Sequence, residues 1–380
     1  MDNFNEKIKA SLCLLSYFET LGFRNGNWEF NFGNQKIPDI GSASAINNII
    51  VNHFFSLGGF TNIDITDWNA SDDTLMMIAS GLACLDGGNE KDYIKSYLKI
   101  LPELKNDKRG SGYNTLNSLE KIKRVKTIKK LDYNSSHGGN GAAMRTSVIG
   151  LIYYKEEDID KLIENSIIDS RVTHNYSLGY LGGLVTALFT SYAIRDIPVW
   201  EWVDKMFELY DSNKIDQYME TTDVYSQYIE EKDNLFFDKW RQYKEQRLNS
   251  FQYKPHEWLH FDNRIIDLEK YNFNKKDDIN YYKLGASGIS CLIVAYDSLL
   301  MSYNSNKPTL NLNKKINFSI DSLIYFSTLH FGDNDTTGAI AGAWCGALYG
   351  FKYFDEKKIN QLEFKEELIN LYKKIKNYIN

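Results

Sequence analysis

Glycine recurs at every fourth position from Gly338 to Gly350, within an apolar, alanine-rich segment of helical character. Each glycine inside a helix costs roughly 0.5–1 kcal/mol relative to alanine. Repeating that cost is reasonable only where another helix or a ligand must approach the backbone closely. The segment therefore predicts a helix near the centre of the protein, with one face almost free of side chains.

Apolar residues fall at helical spacing along much of the remaining chain, as Ile8, Leu12, Leu15 and Phe18 do near its start. Proline is scarce, with five among 380 residues, and the alternation typical of half-buried strands is hard to find. The sequence therefore predicts an all-α fold, organised as one domain over residues 1–380.

A polar and aromatic stretch covers residues 211–278 and interrupts the apolar helices. We interpret it as peripheral helices and loops of the same domain, because no flexible linker or low-complexity tract separates it. Its aromatic and imidazole side chains include Trp240, His256, Trp258 and His260.

Composition excludes several classes of protein. The net charge of −6, without a long basic block, argues against binding to nucleic acid or to an anionic membrane. Cys13, Cys84, Cys291 and Cys345 are too widely spaced for a zinc knuckle or a CxxC pair, and are typical of buried, reduced thiols. Because the N-terminus also lacks the pattern of a signal peptide, we expect a cytoplasmic protein.

Residues 175–194 contain no charged side chain, which raises the question of a membrane span. The segment nevertheless includes Asn175, Ser177 and Thr186 and three glycines, whereas a lipid-facing helix is more uniformly apolar. We therefore expect a buried helix of a protein without a membrane segment.

Two acidic clusters precede apolar, helix-like segments: Ser71-Asp72-Asp73-Thr74 and Asp333-Asn334-Asp335-Thr336-Thr337. Helix capping alone could explain the first cluster, because Ser and Asp accept hydrogen bonds from free amides at a helix start. In the second cluster, Asp333 and Asp335 would repel each other without a cation between them. Oxygen-only clusters suit Mg²⁺, so together the two clusters predict a metal centre.

Glycine-dense loops form a third candidate feature. The loop 135–145 leads into a helix and could present backbone N–H groups to phosphate oxygens, although tight loop packing is an equally good explanation. His174 precedes the charge-free helix and is either a cap or a side chain beside a nucleotide. The small-residue loop 285–288 has low specificity by itself.

These segments, in this order, resemble the ADP-ribosylglycohydrolase family, and the Trp28-Glu29 and Thr173-His174 segments look most like its ADP-ribosylarginine hydrolase branch. The resemblance spans almost the whole chain. The matching stretches are Asn25–Phe30, Ser71–Thr74, Gly139–Arg145, Thr173-His174 with Leu178–Gly182, Ala295–Asp297 and Gly332–Thr337 with Ala339–Gly342.

The resemblance implies a compact all-α domain of orthogonally packed helices that holds two Mg²⁺ ions between the acidic clusters. It implies that the metal ligands are Ser71 or Thr74, Asp72, Asp73, Asp333, Asp335 and Thr336. It implies a catalytic group comprising Asp72, Asp73 and Glu29, the last on a mobile loop in relatives. The implied substrate-binding residues are Ser136, His137, Gly138, Gly139, Asn140 and Gly141 at the pyrophosphate, His174 near the adenine, and Gly285, Ala286 and Ser287 along the cleft.

The activity that the resemblance implies is hydrolysis of the N-glycosidic bond between ADP-ribose and an arginine side chain, with ADP-ribosylated proteins as substrates and ADP-ribose as a product. The chemistry agrees with these residue types, because carboxylates can activate a water molecule and stabilise an oxocarbenium-like transition state. Two alternatives stay open: a non-hydrolytic ADP-ribose-binding relative, and a hydrolase of ADP-ribosylserine or other ADP-ribose conjugates.

The chain departs from the pattern of its relatives at three places. It has Phe18–Gly22 where relatives usually have Gly-Asp-Ala-Leu-Gly, Phe331 where glycine is common, and Ile289-Ser290 where His-Asp is frequent. We expect these departures to reshape the cleft and to affect substrate identity more than reaction type.

Overall fold

The computed structural model describes residues 2–30, 40–249, 264, 267–271, 284–303 and 318–379. Within these ranges the chain is helical and forms no β-strand, which confirms the all-α prediction. The α-helices are α1 (Asp2–Phe23), α2 (Ile40–Ser56), α3 (Gly59–Asn62), α4 (Asp72–Asp86), α5 (Glu90–Leu104), α6 (Tyr113–Val125), α7 (Ser147–Ile152), α8 (Ile159–Arg171), α9 (Ser177–Ile194), α10 (Trp202–Asp211), α11 (Lys214–Met219), α12 (Tyr225–Glu231), α13 (Asp238–Tyr243), α14 (Ser290–Met301), α15 (Ile320–Thr328), α16 (Asn334–Tyr349) and α17 (Lys365–Ile379).

The glycine-rich helix α16 is buried along almost its whole length and packs against α1. A methyl group added at Gly342 would lie 2.3 Å from the carbonyl oxygen of Leu14, and one at Gly346 would lie 2.4 Å from the carbonyl carbon of Ala10. The two backbones are therefore too close for any side chain between them. The prediction of a central helix with a bare face is confirmed.

The same close approach continues to the end of α1 and places two distant segments side by side. A methyl group at Gly22 would lie 2.5 Å from the carbonyl oxygen of Asn334, in the first turn of α16. The loop that follows α1 and the acidic cluster before α16 consequently meet at one end of the helix pair.

Helix α9 is buried on every side, which confirms the prediction of a buried helix. By length and composition it could cross a membrane, but all of its residues lie inside the protein. It packs against α7 and α8, and a methyl group at Gly182 would lie 2.6 Å from the carbonyl oxygen of Gly288. This contact holds the loop 284–288 against the N-terminal part of α9.

The prediction that residues 211–278 are peripheral is wrong for α13. Trp240 and Tyr243 are completely buried, and their rings pack against Phe189 of α9 and Tyr296 of α14 at centroid distances of 5.6 and 6.0 Å. Their large aromatic surfaces fill space beside the apolar helices, so this segment belongs to the core. His256, Trp258 and His260 lie outside the described residues.

All four cysteines are buried and free, in agreement with the prediction of reduced thiols.

Candidate active site

The first acidic cluster lies at the start of α4, where Asp72 and Asp73 occupy the first helical turn. Ser71 caps this helix, because its hydroxyl oxygen accepts a hydrogen bond of 3.2 Å from the amide of Asp73. The amide of Ser71 donates in turn to the carboxylate of Glu19 on α1. Capping is therefore present, and it fixes the backbone that carries the two aspartates.

The second acidic cluster lies at the start of α16. Asp333 immediately precedes the helix, and Asp335 lies in its first turn, where a carboxylate is favoured by the helix dipole. The amide of Thr336 donates a hydrogen bond of 2.8 Å to a carboxylate oxygen of Asp335.

Glu29 joins the second cluster from the loop that follows α1. One carboxylate oxygen each from Glu29, Asp333 and Asp335 lie within 4.8 Å of one another. The preceding Trp28 anchors this loop, since its indole N–H donates to Nδ1 of His53 at 3.2 Å and its ring packs against Trp68. The spacing of the three oxygens is small enough for one cation to contact all of them.

A cavity of about 180 Å³ lies where the two clusters meet. Its wall contains five carboxylates, four residues of the loop 135–145 and His174. The complete set of lining residues is Glu29, Asp72, Asp73, Gly110, Gly112, Tyr113, Asn114, Thr115, Gly139, Asn140, Gly141, Met144, His174, Asp333, Asp335 and Thr336.

The carboxylates of this cavity raise one another's pKa values. Burial, followed by the charge of Asp335, raises the pKa of Asp72 to about 7 and raises that of Asp73 well above its usual range. The same two causes raise the pKa values of Glu29 and Asp333 well above their usual range. So many mutually destabilising negative charges in one wall form an environment that a cation would stabilise.

Unpaired oxygen atoms give a second indication that the site accepts a cation. Oδ2 of Asp73 and Oγ1 of Thr74 are buried and have no hydrogen-bond partner, and although such atoms occur elsewhere in the described residues, Asp73 is the one that also lines the cavity. Buried oxygens without partners are uncommon in folded proteins and call for a ligand or ion. The donor set, made entirely of carboxylate and hydroxyl oxygens, fits a hard divalent ion such as Mg²⁺.

The glycine-rich loop contributes only part of its predicted length to the cavity. Gly139, Asn140 and Gly141 line the wall, and the Asn140 side-chain amide donates 2.9 Å to the carbonyl oxygen of Gly285. The other predicted substrate-binding residues are not in the wall. They are Ser136, His137, Gly138, Gly285, Ala286 and Ser287.

The loop 284–288 instead supports the glycine-rich loop from behind. The amide of Asn140 donates to the carbonyl oxygen of Ala286 at 3.1 Å. The amide of Gly288 donates to the carbonyl oxygen of Gly138, also at 3.1 Å. Gly285 has a φ of +86°, and a methyl group there would lie 3.0 Å from the carbonyl oxygen of Asp333. This loop therefore joins the glycine-rich loop to the second acidic cluster.

A segment that sequence reasoning missed forms the opposite rim. Gly110, Gly112, Tyr113, Asn114 and Thr115 lie before and at the start of α6 and line the cavity. The side-chain amide of Asn114 donates to the carbonyl oxygen of Ser136, so the segment touches the glycine-rich loop. Two glycines just before a helix are the same signal as in that loop, and could have identified the segment.

His174 lies in the wall with its ring against the glycine-rich loop. A methyl group at Gly141 would lie 2.4 Å from Cε1 of His174, so only glycine leaves room for the imidazole. Burial, followed by the charge of Arg145, lowers the pKa of His174 well below its usual range. The imidazole is consequently neutral at physiological pH.

The three departures from the family pattern lie behind the cavity wall. Glu19 accepts from the amide of Ser71, and burial is the main cause that raises its pKa to about 8. The Phe331 amide donates to the side chain of Asn47 at 2.9 Å, and the hydroxyl of Ser290 accepts from the amide of Gly285. Each residue supports a segment that lines the cavity and does not itself line it.

Comparison with known proteins relates this geometry to a family. Residues 21–379 match the family ADP-ribosylglycohydrolase. The chain is 33% identical to "ADP-ribosylhydrolase ARH1" of Dictyostelium discoideum, over 98% of this chain and 94% of that protein. It is also 33% identical to a candidate ADP-ribosyl glycohydrolase, L444, of Acanthamoeba polyphaga mimivirus, over 94% of this chain and 67% of that protein.

A solved structure shares the fold. The "ADP-ribosylglycohydrolase-related protein complex" superposes with a TM-score of 0.57 at 17% identity, covering 100% of this chain and 99% of the other.

Proposed function

This chain belongs to the ADP-ribosylglycohydrolase family, and we propose that it is a Mg²⁺-dependent hydrolase that removes ADP-ribose from arginine side chains of modified proteins. The family supports hydrolysis of an ADP-ribose conjugate. The choice of arginine rests on the Trp28-Glu29 and Thr173-His174 segments, which resemble the ADP-ribosylarginine hydrolase branch of the family.

The observation that carries the proposal is the convergence of five carboxylates, Glu29, Asp72, Asp73, Asp333 and Asp335, on one cavity. A binding protein that only recognises ADP-ribose has no need of this arrangement, because a wall of carboxylates repels a pyrophosphate. The arrangement is useful when the wall also holds cations and faces the reacting end of the ligand. It therefore favours an enzyme over a binding relative.

Residues of both acidic clusters would hold Mg²⁺, namely Asp72, Asp73, Asp333, Asp335 and Thr336, with Ser71 or Thr74. Bound there, Mg²⁺ would supply Lewis-acid polarisation of ribose hydroxyl groups and of a water molecule. The unpaired oxygens of Asp73 and Thr74 support this ligand set. The number of two ions rests on the resemblance to the family.

The carboxylates also have roles of their own in the reaction. A carboxylate can accept a proton from a water molecule beside it, and Asp72 and Asp73 both line the cavity. We assign Asp72, or its neighbour Asp73, to accept a proton from the attacking water. Glu29 faces the same space and is suited to stabilise the positive charge of an oxocarbenium-like transition state or of the arginine guanidinium.

The opposite wall would bind the ADP portion of the substrate. Gly139, Asn140 and Gly141 present a glycine-rich backbone suited to pyrophosphate oxygens, and His174 lies beside them for the adenine. We place the enzyme in the cytoplasm, which its four free, buried cysteines support.

The test uses the purified full chain with peptides ADP-ribosylated either on arginine or on serine, in Mg²⁺ and in EDTA. Release of ADP-ribose, measured by mass spectrometry, is expected from the arginine peptide in Mg²⁺ alone. The matched control is Asp335→Asn, which we expect to be helical by circular dichroism and inactive.

Other outcomes assign other functions. Release from the serine peptide alone would change the linkage, and equal release in EDTA would remove the metal from the proposal. Binding of ADP-ribose without release from either peptide would identify a binding protein.

A further inference from the structure

A fully buried group of polar residues lies directly behind His174. Arg145 is completely buried, and its guanidinium donates to the Asp169 carboxylate at 2.9 Å and to the Asp169 carbonyl oxygen at 2.7 Å. It also donates to the carbonyl oxygen of Gly141 at 2.7 Å. The hydroxyl of Tyr97 donates to the other oxygen of Asp169. Arg145 is therefore fixed in position and orientation.

Arg145 makes one more hydrogen bond, to the hydroxyl oxygen of Thr173 at 2.8 Å. A guanidinium has only donors, so Thr173 must accept this hydrogen. The hydroxyl hydrogen of Thr173 then needs an acceptor, because an unpaired buried donor is costly. Among the described residues, the side-chain partner left to it is Nδ1 of His174, also at 2.8 Å.

This chain of donors determines which ring nitrogen of His174 carries the proton. If Nδ1 were protonated, it would donate to Thr173, and the Thr173 hydroxyl hydrogen would face no described acceptor. Nδ1 must therefore accept, which leaves the hydrogen of the neutral ring on Nε2. The low pKa of His174 and the nearby Arg145 charge both support a ring with one proton.

The second ring nitrogen faces the cavity side of the glycine-rich loop. Nε2 lies 2.9 Å from the position that a Cβ of Gly141 would occupy and 3.4 Å from that of Gly139. In the described part of the chain, Nε2 makes no hydrogen bond, although the residue is only 4% exposed. A donor held in this way is available to a ligand and to little else.

We propose that Thr173, held by Arg145, is a positioning residue that fixes His174 as its Nε2–H tautomer, and that this N–H donates a hydrogen bond to an acceptor atom of the ligand. A ring nitrogen or an oxygen of an ADP-ribose conjugate would serve. The site would then discriminate against a ligand that presents a donor at this point, because two opposed donors cannot pair. The identity of the ligand rests on the proposed function, whereas the tautomer does not.

The first experiment measures the tautomer in the protein without ligand. Nuclear magnetic resonance of the ¹⁵N-histidine-labelled full chain distinguishes a protonated ring nitrogen from a bare one, and His174→Gln identifies the signals of His174. We expect Nε2 protonated and Nδ1 bare. A proton on Nδ1, or an equal mixture of tautomers, would overturn the proposal whatever the protein hydrolyses.

Variants of Thr173 test the cause of the tautomer. Thr173→Ser keeps the hydroxyl and is expected to keep both the tautomer and the affinity for ADP-ribose. Thr173→Val removes it, and we expect a mixture of tautomers with ADP-ribose binding weakened by about threefold to tenfold, the worth of about one hydrogen bond.

Thr190→Val is the matched control, because the Thr190 hydroxyl is equally buried and, among the described residues, bonds only to a carbonyl oxygen within α9. It should change neither the tautomer nor the affinity. An unchanged tautomer in Thr173→Val would show that Thr173 is not the cause.

His174→Phe separates donation from stacking, since it keeps an aromatic ring and removes the N–H. We expect ADP-ribose binding to weaken by a similar factor. Wild-type affinity in this variant would overturn the donor role, even if Thr173→Val fails to fold.

Discussion

Asp297 and Asp73 are both buried carboxylates on core helices, but they differ in their hydrogen-bond and charge partners. Asp297 accepts hydrogen bonds from Arg264 at 2.6 Å and from Tyr243 at 3.0 Å, and it pairs with Arg247 as well. Burial opposes its charge, but the two guanidinium groups lower the pKa of Asp297 below its usual value. Asp73 has an oxygen without a partner, and burial together with the neighbouring carboxylates raises its pKa.

The contrast separates two uses of a buried acid. A carboxylate whose partners are built into the fold contributes to the fold itself, as the paired Asp297 and Asp169 do. A carboxylate surrounded by others of the same sign makes the fold less stable unless something from outside joins it. The position of the unpaired carboxylates therefore supports the proposed location of the metal and substrate site.

The largest expected effect is on turnover, and it should follow from a change at Asp73 in the cavity wall. Asp73→Asn removes a carboxylate from the metal and water side, so hydrolysis should fall by about a hundredfold to ten-thousandfold. The melting temperature in EDTA should stay the same or rise, because one repulsive charge has gone. Turnover and thermal unfolding measured on the same preparation check this. A variant that loses stability and retains turnover would contradict it.

A change at Asp297, which is paired with two arginines, should instead lower the stability of the fold. Asp297→Asn leaves two buried guanidinium groups without their counter-charge, and we expect a loss of about 3–5 kcal/mol in the free energy of unfolding. Urea denaturation measures this loss. Asp238→Asn is the control, because its pair with Arg241 is about half exposed and should contribute about 0–1 kcal/mol.

A further effect should appear in the pH dependence of stability without metal. Acids whose pKa is raised by folding bind more protons in the folded state, so stability falls as pH rises from their unfolded value to their folded one. That interval runs from about 4 to about 7 for Asp72 and about 8 for Glu19.

The melting temperature in EDTA should therefore decrease across this interval, and Mg²⁺ should weaken the decrease. Asp297 contributes a pH dependence of stability with the opposite sign, because the stability that it adds is lost only as pH falls through its lowered pKa. A melting temperature in EDTA that rises over the interval would show that the cluster is not a source of repulsion.

The smallest expected effect distinguishes capping from metal binding at Ser71. Ser71→Ala removes the N-cap bond to the amide of Asp73 and should cost about 0.5–2 kcal/mol of stability. Ser71→Asp restores the cap and serves as the control. If Ser71→Ala also abolishes the stabilisation by Mg²⁺, Ser71 is a ligand; if the stabilisation persists, Thr74 is the better candidate.

Local patterns in the sequence were sufficient for the parts of the fold that local chemistry determines. The glycine repeat identified α16 as a central helix because close backbone contact leaves a direct mark on composition. The acidic clusters were visible because each is contiguous and precedes an apolar helix. That the two clusters lie in one cavity could be predicted only by considering them together. The roles assigned to their residues stay predictions.

Features made by pairs of distant residues could not be predicted in the same way. Nothing in the sequence links Arg145 to Asp169 or Asp297 to Arg264, because each pair forms only when separate segments of the chain pack together. Trp240 looked peripheral since its neighbours are polar, whereas its burial depends on α9 and α14. The rim segment 110–115 was overlooked for a different reason, because short glycine motifs are too common to stand out.

The pairing of α1 with α16 has a consequence for how the protein is made. On the ribosome, α1 emerges long before α16 is synthesised. The apolar surface of α1 therefore stays uncovered until the far end of the chain is available to pack against it. Contacts of such long sequence separation form late, and the folding intermediates before them expose hydrophobic surface that chaperones bind. Nascent chains would thus carry Asp72 and Asp73 without Asp333 and Asp335, so the cavity with its five carboxylates could form only after both acidic clusters have been translated.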